Sequence, residues 1–92
     1  MTELIKNIDK VHTTELGVYR ISKNLSLDNV DAVQYCKSKI IDKNAKIVSH
    51  GKNWYIYLDG DKIVVNRTSY TIITAHKIKQ DEIFKSSYYV KK

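Results

Sequence analysis

Ser69-Tyr70-Thr71-Ile72-Ile73-Thr74-Ala75-His76-Lys77 decides how the rest of this chain is read, because β-branched and aromatic residues crowd it with no Gly or Pro. It reads as a strand. Alternation puts Tyr70, Ile72, Thr74 and His76 on one face and Thr71, Ile73 and Ala75 on the other, with Ile73 and Ala75 turned toward the core. A hydroxyl and an imidazole, Thr74 and His76, therefore stand two residues apart on one side.

Upstream of this stretch the period is also two. After Asp42-Lys43-Asn44, alternating segments run over 45–49, 54–58 and 62–65 before 69–77. Gly51-Lys52-Asn53, Asp59-Gly60-Asp61 and Asn66-Arg67-Thr68 supply turns at short intervals, and Asp-Gly is a favoured hairpin pair. The expected sheet is a four-stranded antiparallel meander.

The chain before residue 44 has helical spacing instead. Leu4, Ile5 and Ile8 mark a short helix over 2–10, and Lys10-Val11-His12-Thr13-Thr14-Glu15-Leu16-Gly17 interrupts it. Leu16, Tyr19 or Arg20, and Ile21 restart an apolar face, which places His12 at or just before a helix N-terminus, where backbone N–H groups attract anions. A further helix is expected to begin at an Asp28 cap, with Val30, Val33, Cys36, Ile40 and Ile41 as its stripe. Cys36 on that stripe reads as a small buried hydrophobe, not a nucleophile.

The fold class that follows is α+β, with two or three N-terminal helices packed on one face of the sheet and the other face open to a ligand. A chain of 92 residues builds one core, so residues 1–92 form one domain: a helical part over 1–43, the sheet over 44–78 and a basic-aromatic tail over 79–92. No apolar run long enough to span a bilayer occurs, the N-terminus lacks the pattern of a signal peptide, and Cys36 is the single cysteine. A cytoplasmic location is expected.

A net charge of +6 points to a polyanionic partner. Residues 1–26 carry four basic and three acidic side chains, residues 27–44 three of each, and residues 45–92 nine basic against four acidic. The excess lies in the C-terminal half, where Phe84, Tyr88 and Tyr89 interleave with Lys85, Lys91 and Lys92. Rings among ammonium groups suit bases and phosphates, and they suit equally a tail that docks its tyrosines on the sheet.

Several chemistries find no support. His12, Cys36, His50 and His76 lack the short spacings of structural zinc sites, so no metal or other cofactor is expected. There is no nucleophile elbow, and three glycines at 17, 51 and 60 write neither a P-loop nor a dinucleotide fingerprint. What remains is Lys10 with His12, and Thr74 with His76. A metal-free ribonuclease needs a base for the ribose 2′-hydroxyl, an acid for the leaving 5′-oxygen and a cation for the charge that develops on phosphorus.

The segments Lys10-Val11-His12-Thr13-Thr14-Glu15-Leu16-Gly17-Val18, Gly51-Lys52-Asn53-Trp54-Tyr55 and Tyr70 through Lys77 resemble a small bacterial family of uncharacterised domains. The order of parts is also similar to the colicin D-like ribonucleases of the barnase, EndoU, colicin and RelE superfamily. His12 with Glu15-Leu16-Gly17 resembles their Lys-His pair before an acidic-aromatic-Gly segment, and Thr74-Ala75-His76-Lys77-Ile78 resembles their final Ser-Gly-Trp-Lys-Ile stretch. This resemblance implies His12 as the catalytic histidine, Lys10 as the phosphate cation and Thr74 as the hydroxyl that holds the scissile phosphate. Val11 separates Lys10 from His12 and His76 replaces a tryptophan, which leaves His76 as a second acid or a stacking ring.

The expected activity is thus metal-independent RNA cleavage of toxin or phage-defence type, with catalytic residues Lys10, His12, Thr74 and His76. Nucleic acid would be held by Arg20, Lys52, Arg67, Tyr70, Lys77, Lys85, Lys91 and Lys92. The partners to expect are RNA, tRNA among the candidates, and a cognate immunity or antitoxin protein. Two rivals stand beside this reading: a non-catalytic RNA-binding or inhibitory protein of a mobile element, and a protein-interaction module anchored by Trp54, Tyr55 and Tyr57.

Overall fold

The computed structural model describes residues 3–78. Helix α1 (Glu3–Lys6) and a single 3-10 turn (Ile8–Lys10) lead into α2 (Glu15–Asn24) and α3 (Ala32–Ile40). Four strands follow: β1 (Lys46–His50), β2 (Asn53–Leu58), β3 (Asp61–Asn66) and β4 (Ile72–Lys77). They pair antiparallel in chain order, so helices precede a meander, as the change of period implies.

Each junction has a local cause. Thr14 caps α2 by accepting from Gly17 N at 3.0 Å, and Asp31 caps α3 by accepting from Gln34 N at 3.1 Å. Asp59 and Gly60 both take positive φ, +50° and +80°, the signature of a two-residue type I′ hairpin that matches strand twist. Asn66 Oδ1 accepts from the amides of Thr68 and Ser69, both at 2.9 Å, and folds the loop between β3 and β4.

The core lies between the helices and one face of the sheet. Leu4, Val11, Ile21, Leu25, Ala32, Cys36 and Ile40 pack on Trp54, Ile56, Ile63, Val65, Ile72 and Ala75. Burial pushes the Cys36 thiol up to about 12, consistent with an inert packing residue.

The helical stripes differ from expectation. The cap of α3 lies three residues after Asp28, because Asn29 adopts φ +57° and Asp31 supplies it. Val30 and Ile41 therefore fall outside the helix and are exposed, and Ala32 joins Cys36 and Ile40 in the core. On α2, Leu16 and Tyr19 are exposed and only Ile21 is buried. At Gly17 a Cβ would collide with Thr13, so the first turn of α2 lies tight against the residue before its cap.

The largest correction falls on β4. Val64 opposes Thr74 but Val65 opposes Ile72, which leaves Ile73 as an extra, bulged residue. The bulge shifts the alternation by one. Ile72 joins Ala75 in the core, Ile73 is 54% exposed instead of packing toward the helices, and Tyr70 lies outside the strand at φ +62°. Thr74 and His76 still share a face, the one turned away from the helices, since their cross-strand partners are Val64 and Lys62.

Candidate functional site

The outer edge of β4 is where the helical segment and the sheet meet. His12 pairs with it as a short parallel bridge: its N–H donates to Tyr70 O at 3.1 Å and its carbonyl accepts from Ile72 N at 2.8 Å. Thr13 Oγ1 donates to Ile72 O at 3.1 Å, and Asn24 Nδ2 donates to Ala75 O at 3.3 Å. These groups cover an edge that would otherwise offer unpaired backbone to another chain.

The bridge fixes the imidazole. His12 Nδ1 lies 2.8 Å from Lys10 O, and a carbonyl only accepts, so Nδ1 carries the proton and Nε2 of the neutral ring is the acceptor. Thr71 Oγ1 lies 3.3 Å from that Nε2 and 2.8 Å from Ser69 Oγ, which in turn reaches Asn66 Oδ1 at 3.2 Å. A proton acceptor, held by a backbone carbonyl on one side, thus faces a hydroxyl on the other. Nucleophile and base pairs have this form, with the base oriented by a third group. The His12 side chain is open to solvent.

Beside it runs a groove of about 410 Å³ between α2 and β4. Its polar lining is Thr13, Thr14, Arg20, Asn24, Thr71 and Thr74, with Leu16 and Ile73 as exposed apolar margins. No carboxylate lines it, and Arg20 makes no ion pair among the described residues. A guanidinium among hydroxyls and a capped helix N-terminus is a setting suited to an oxyanion.

On the other side of the bridge, Lys10 Nζ stands 5.6 Å above the Tyr70 ring, and Tyr70 meets Trp54 at a tilt of 46° with the ring centroids 5.4 Å apart. Arg67 lies 6.0 Å from the far partner, Trp54, while its guanidinium donates to Gly51 O at 3.2 Å. Trp54 is buried, so it is a core residue and not an exposed anchor. Tyr70 holds a left-handed backbone that bulky residues rarely adopt, and the ring contacts and the His12 bridge hold it there.

The sequence-predicted groups separate into three places. Lys10 and His12 meet at the bridge, and Thr74 and Arg20 line the groove. His76 lies on the open face opposite Lys62, its Nδ1 donating to Lys77 O at 3.0 Å, and no hydrogen bond among the described residues joins it to His12. Lys77 pairs with the buried Asp61 at 3.6 Å, Lys52 sits in the β1–β2 turn, and Lys85, Lys91 and Lys92 lie outside the described residues. Thr71 and Ser69 were missed as site residues, since alternation assigned Thr71 to the face opposite Thr74. The hydroxyl-rich run Ser69-Tyr70-Thr71 after an Asn turn was the available signal.

A separate buried network lies beneath the β2–β3 hairpin. Tyr35 O–H donates to Asp61 Oδ2 at 2.9 Å, and Lys39 Nζ lies 3.8 Å from Asp61 and 3.6 Å from Asp59. Burial, and then the Asp61 carboxylate, push the Tyr35 phenol up. For Lys39, burial pulls the ammonium down, but Tyr35 and Asp61 outweigh it and hold the group above its ordinary value.

Fold and groove together define an α+β domain with a cationic, hydroxyl-lined cleft at a sheet edge. Residues 5–76 match the family described as protein of unknown function (DUF3781), and the chain belongs to that family. No curated protein and no solved structure matches it.

Proposed function

We propose that the protein cleaves RNA without a metal, at the junction of the α2–β4 groove and the His12 bridge. The observation that carries this reading is the pairing of an oriented, solvent-open imidazole with Thr71, at the end of a groove that holds Arg20 and no carboxylate.

The scissile phosphate sits in the groove against Arg20 and the hydroxyl of Thr13, and the Thr74 hydroxyl meets the strand where it passes onto the open face of the sheet. His12 Nε2 takes the proton of the ribose 2′-hydroxyl, which occupies the place beside the ring where Thr71 Oγ1 stands, and the 2′-oxygen attacks phosphorus. The bond to the 5′-oxygen breaks, a 2′,3′-cyclic phosphate forms, and Arg20 stabilises the charge that builds on the equatorial oxygens. The leaving 5′-oxygen takes its proton from water, since His76 stands on the open face opposite Lys62, apart from His12 and the groove. Lys10 holds a neighbouring phosphate and, through its carbonyl, the ring of His12.

The colicin D-like resemblance suggests a toxin or phage-defence setting, in which an immunity protein would cover the groove. The test is incubation of purified protein with total RNA, with and without chelator, followed by end-group analysis. Cleavage in chelator with cyclic phosphate ends supports the reading. Binding without cleavage favours the non-catalytic RNA-binding alternative, and neither binding nor cleavage rejects both.

A further inference from the structure

The face of the sheet turned away from the helices brings aromatic rings, ammonium groups and imidazoles together. The register sets it out in rows. Lys46, Tyr57, Lys62 and His76 stand side by side across the four strands, and Val48, Tyr55, Val64 and Thr74 form the next row. His50, opposite Asn53, closes the far end, its ring 6.4 Å from Tyr55. None of the strand positions on this face is a carboxylate, whereas Asp61 is turned to the core side and buried.

Two tyrosine rings, two ammonium groups and two imidazoles on a twisted sheet meet the two needs of a single nucleic-acid strand. Rings supply stacking surfaces for bases, and cations track the phosphates. Lys62 Nζ already stands 5.6 Å over the Tyr55 ring, so a cation and an aromatic face are offered together. A duplex has its bases stacked inside and cannot use the rings in this way.

We propose that this face is the platform for single-stranded RNA, with bases stacking on Tyr55 and Tyr57 and phosphates held by Lys46 and Lys62. The inference deepens the proposed function and rests on its RNA reading. It specifies the substrate as unpaired RNA that crosses the β4 edge from the groove onto the sheet, past Thr74 and His76. Charge complementarity commits the face to a polyanion, and the rings commit it to one with exposed bases.

The experiment uses a labelled single-stranded oligoribonucleotide, 2′-O-methylated to block cleavage, and a duplex of the same length. Anisotropy titrations are run over a range of salt with the wild type, Tyr55→Leu, Tyr57→Leu and the pair Lys46→Gln with Lys62→Gln; melting curves identify any variant that fails to fold. Each leucine variant should lose about fivefold or more in single-strand affinity, the range for one stacked base, with the duplex little affected. The lysine pair should reduce the salt slope by roughly 1.4, at about 0.7 per phosphate contact on a single strand, which reads the surface even where a leucine variant melts low.

Wild-type affinity that survives all these changes overturns the platform while leaving the RNA reading standing. Loss with the lysines alone makes the face a phosphate surface and overturns the stacking. Displacement of the RNA by polyglutamate as readily as by unlabelled RNA assigns the face to acidic proteins instead. A wild type with no RNA affinity overturns this inference and the proposed function together.

Discussion

Thr71 meets His12 across 59 residues of sequence, its hydroxyl 3.3 Å from the imidazole Nε2 whose Nδ1 is tied to Lys10 O. The contact exists because His12 is built into the edge of the sheet as a one-residue parallel bridge. A surface imidazole is thereby given one tautomer and one orientation. Thr71→Val removes the hydroxyl and keeps the shape, so the rate should fall by about tenfold or less, the scale of one neutral hydrogen bond. Thr71→Ser should restore it, and a valine variant with wild-type turnover would show that the contact positions nothing.

Gly17→Ala tests how α2 is seated. Alanine favours a helix by about 0.5–1 kcal/mol, but its methyl would collide with Thr13, which is held by its bond to Ile72 O. Overpacking of this kind costs about 1–3 kcal/mol, so the collision wins and the melting temperature should drop by several degrees. A rise on thermal denaturation would contradict the close approach.

The bulge makes a paired prediction at adjacent isoleucines. Ile72→Ala should destabilise by about 2–4 kcal/mol, as a large-to-small change in a core does. Ile73→Ala, at a position 54% exposed, should stay within about 1 kcal/mol. Equal losses in urea titrations would restore the unbulged register.

Alkaline stability follows from Cys36, Tyr35 and Lys39, all held above their ordinary values in the fold. The folded chain keeps these protons after the unfolded chain has lost its own, so stability is full below the unfolded values and falls as pH rises. The decline should begin near pH 9, where an unfolded cysteine ionises, and continue toward about 12 for Cys36. Cys36→Ala lowers the overall stability but should flatten the part of the decline between those limits. An unchanged slope in that variant would place the alkaline sensitivity elsewhere.

The change from a period of 3.6 to a period of two near residue 44 made the α+β layout legible, and Asp59-Gly60 announced its hairpin. Side-chain alternation along β4 was not legible, because a bulge at Ile73 is set by how β3 and β4 register, not by β4 alone. The caps were only partly readable: Thr14 behaves as its type predicts, but Asp28 and Asp31 are equally good caps, and the backbone at Asn29 decides between them. At the site, Lys10, His12 and Thr74 could be nominated from residue type. The partnership of His12 with Thr71 depends on a bridge between segments that no local pattern brings together.

The rate of RNA cleavage in excess EDTA, measured for the wild type and for His12→Ala, separates a metal-free histidine nuclease from every other reading. The wild type should cut in chelator and leave 2′,3′-cyclic phosphate, and His12→Ala should lower the rate by about 10² to 10⁴ with RNA affinity and melting temperature nearly unchanged. Activity abolished by EDTA, or a variant within threefold of wild type, would contradict the nuclease reading.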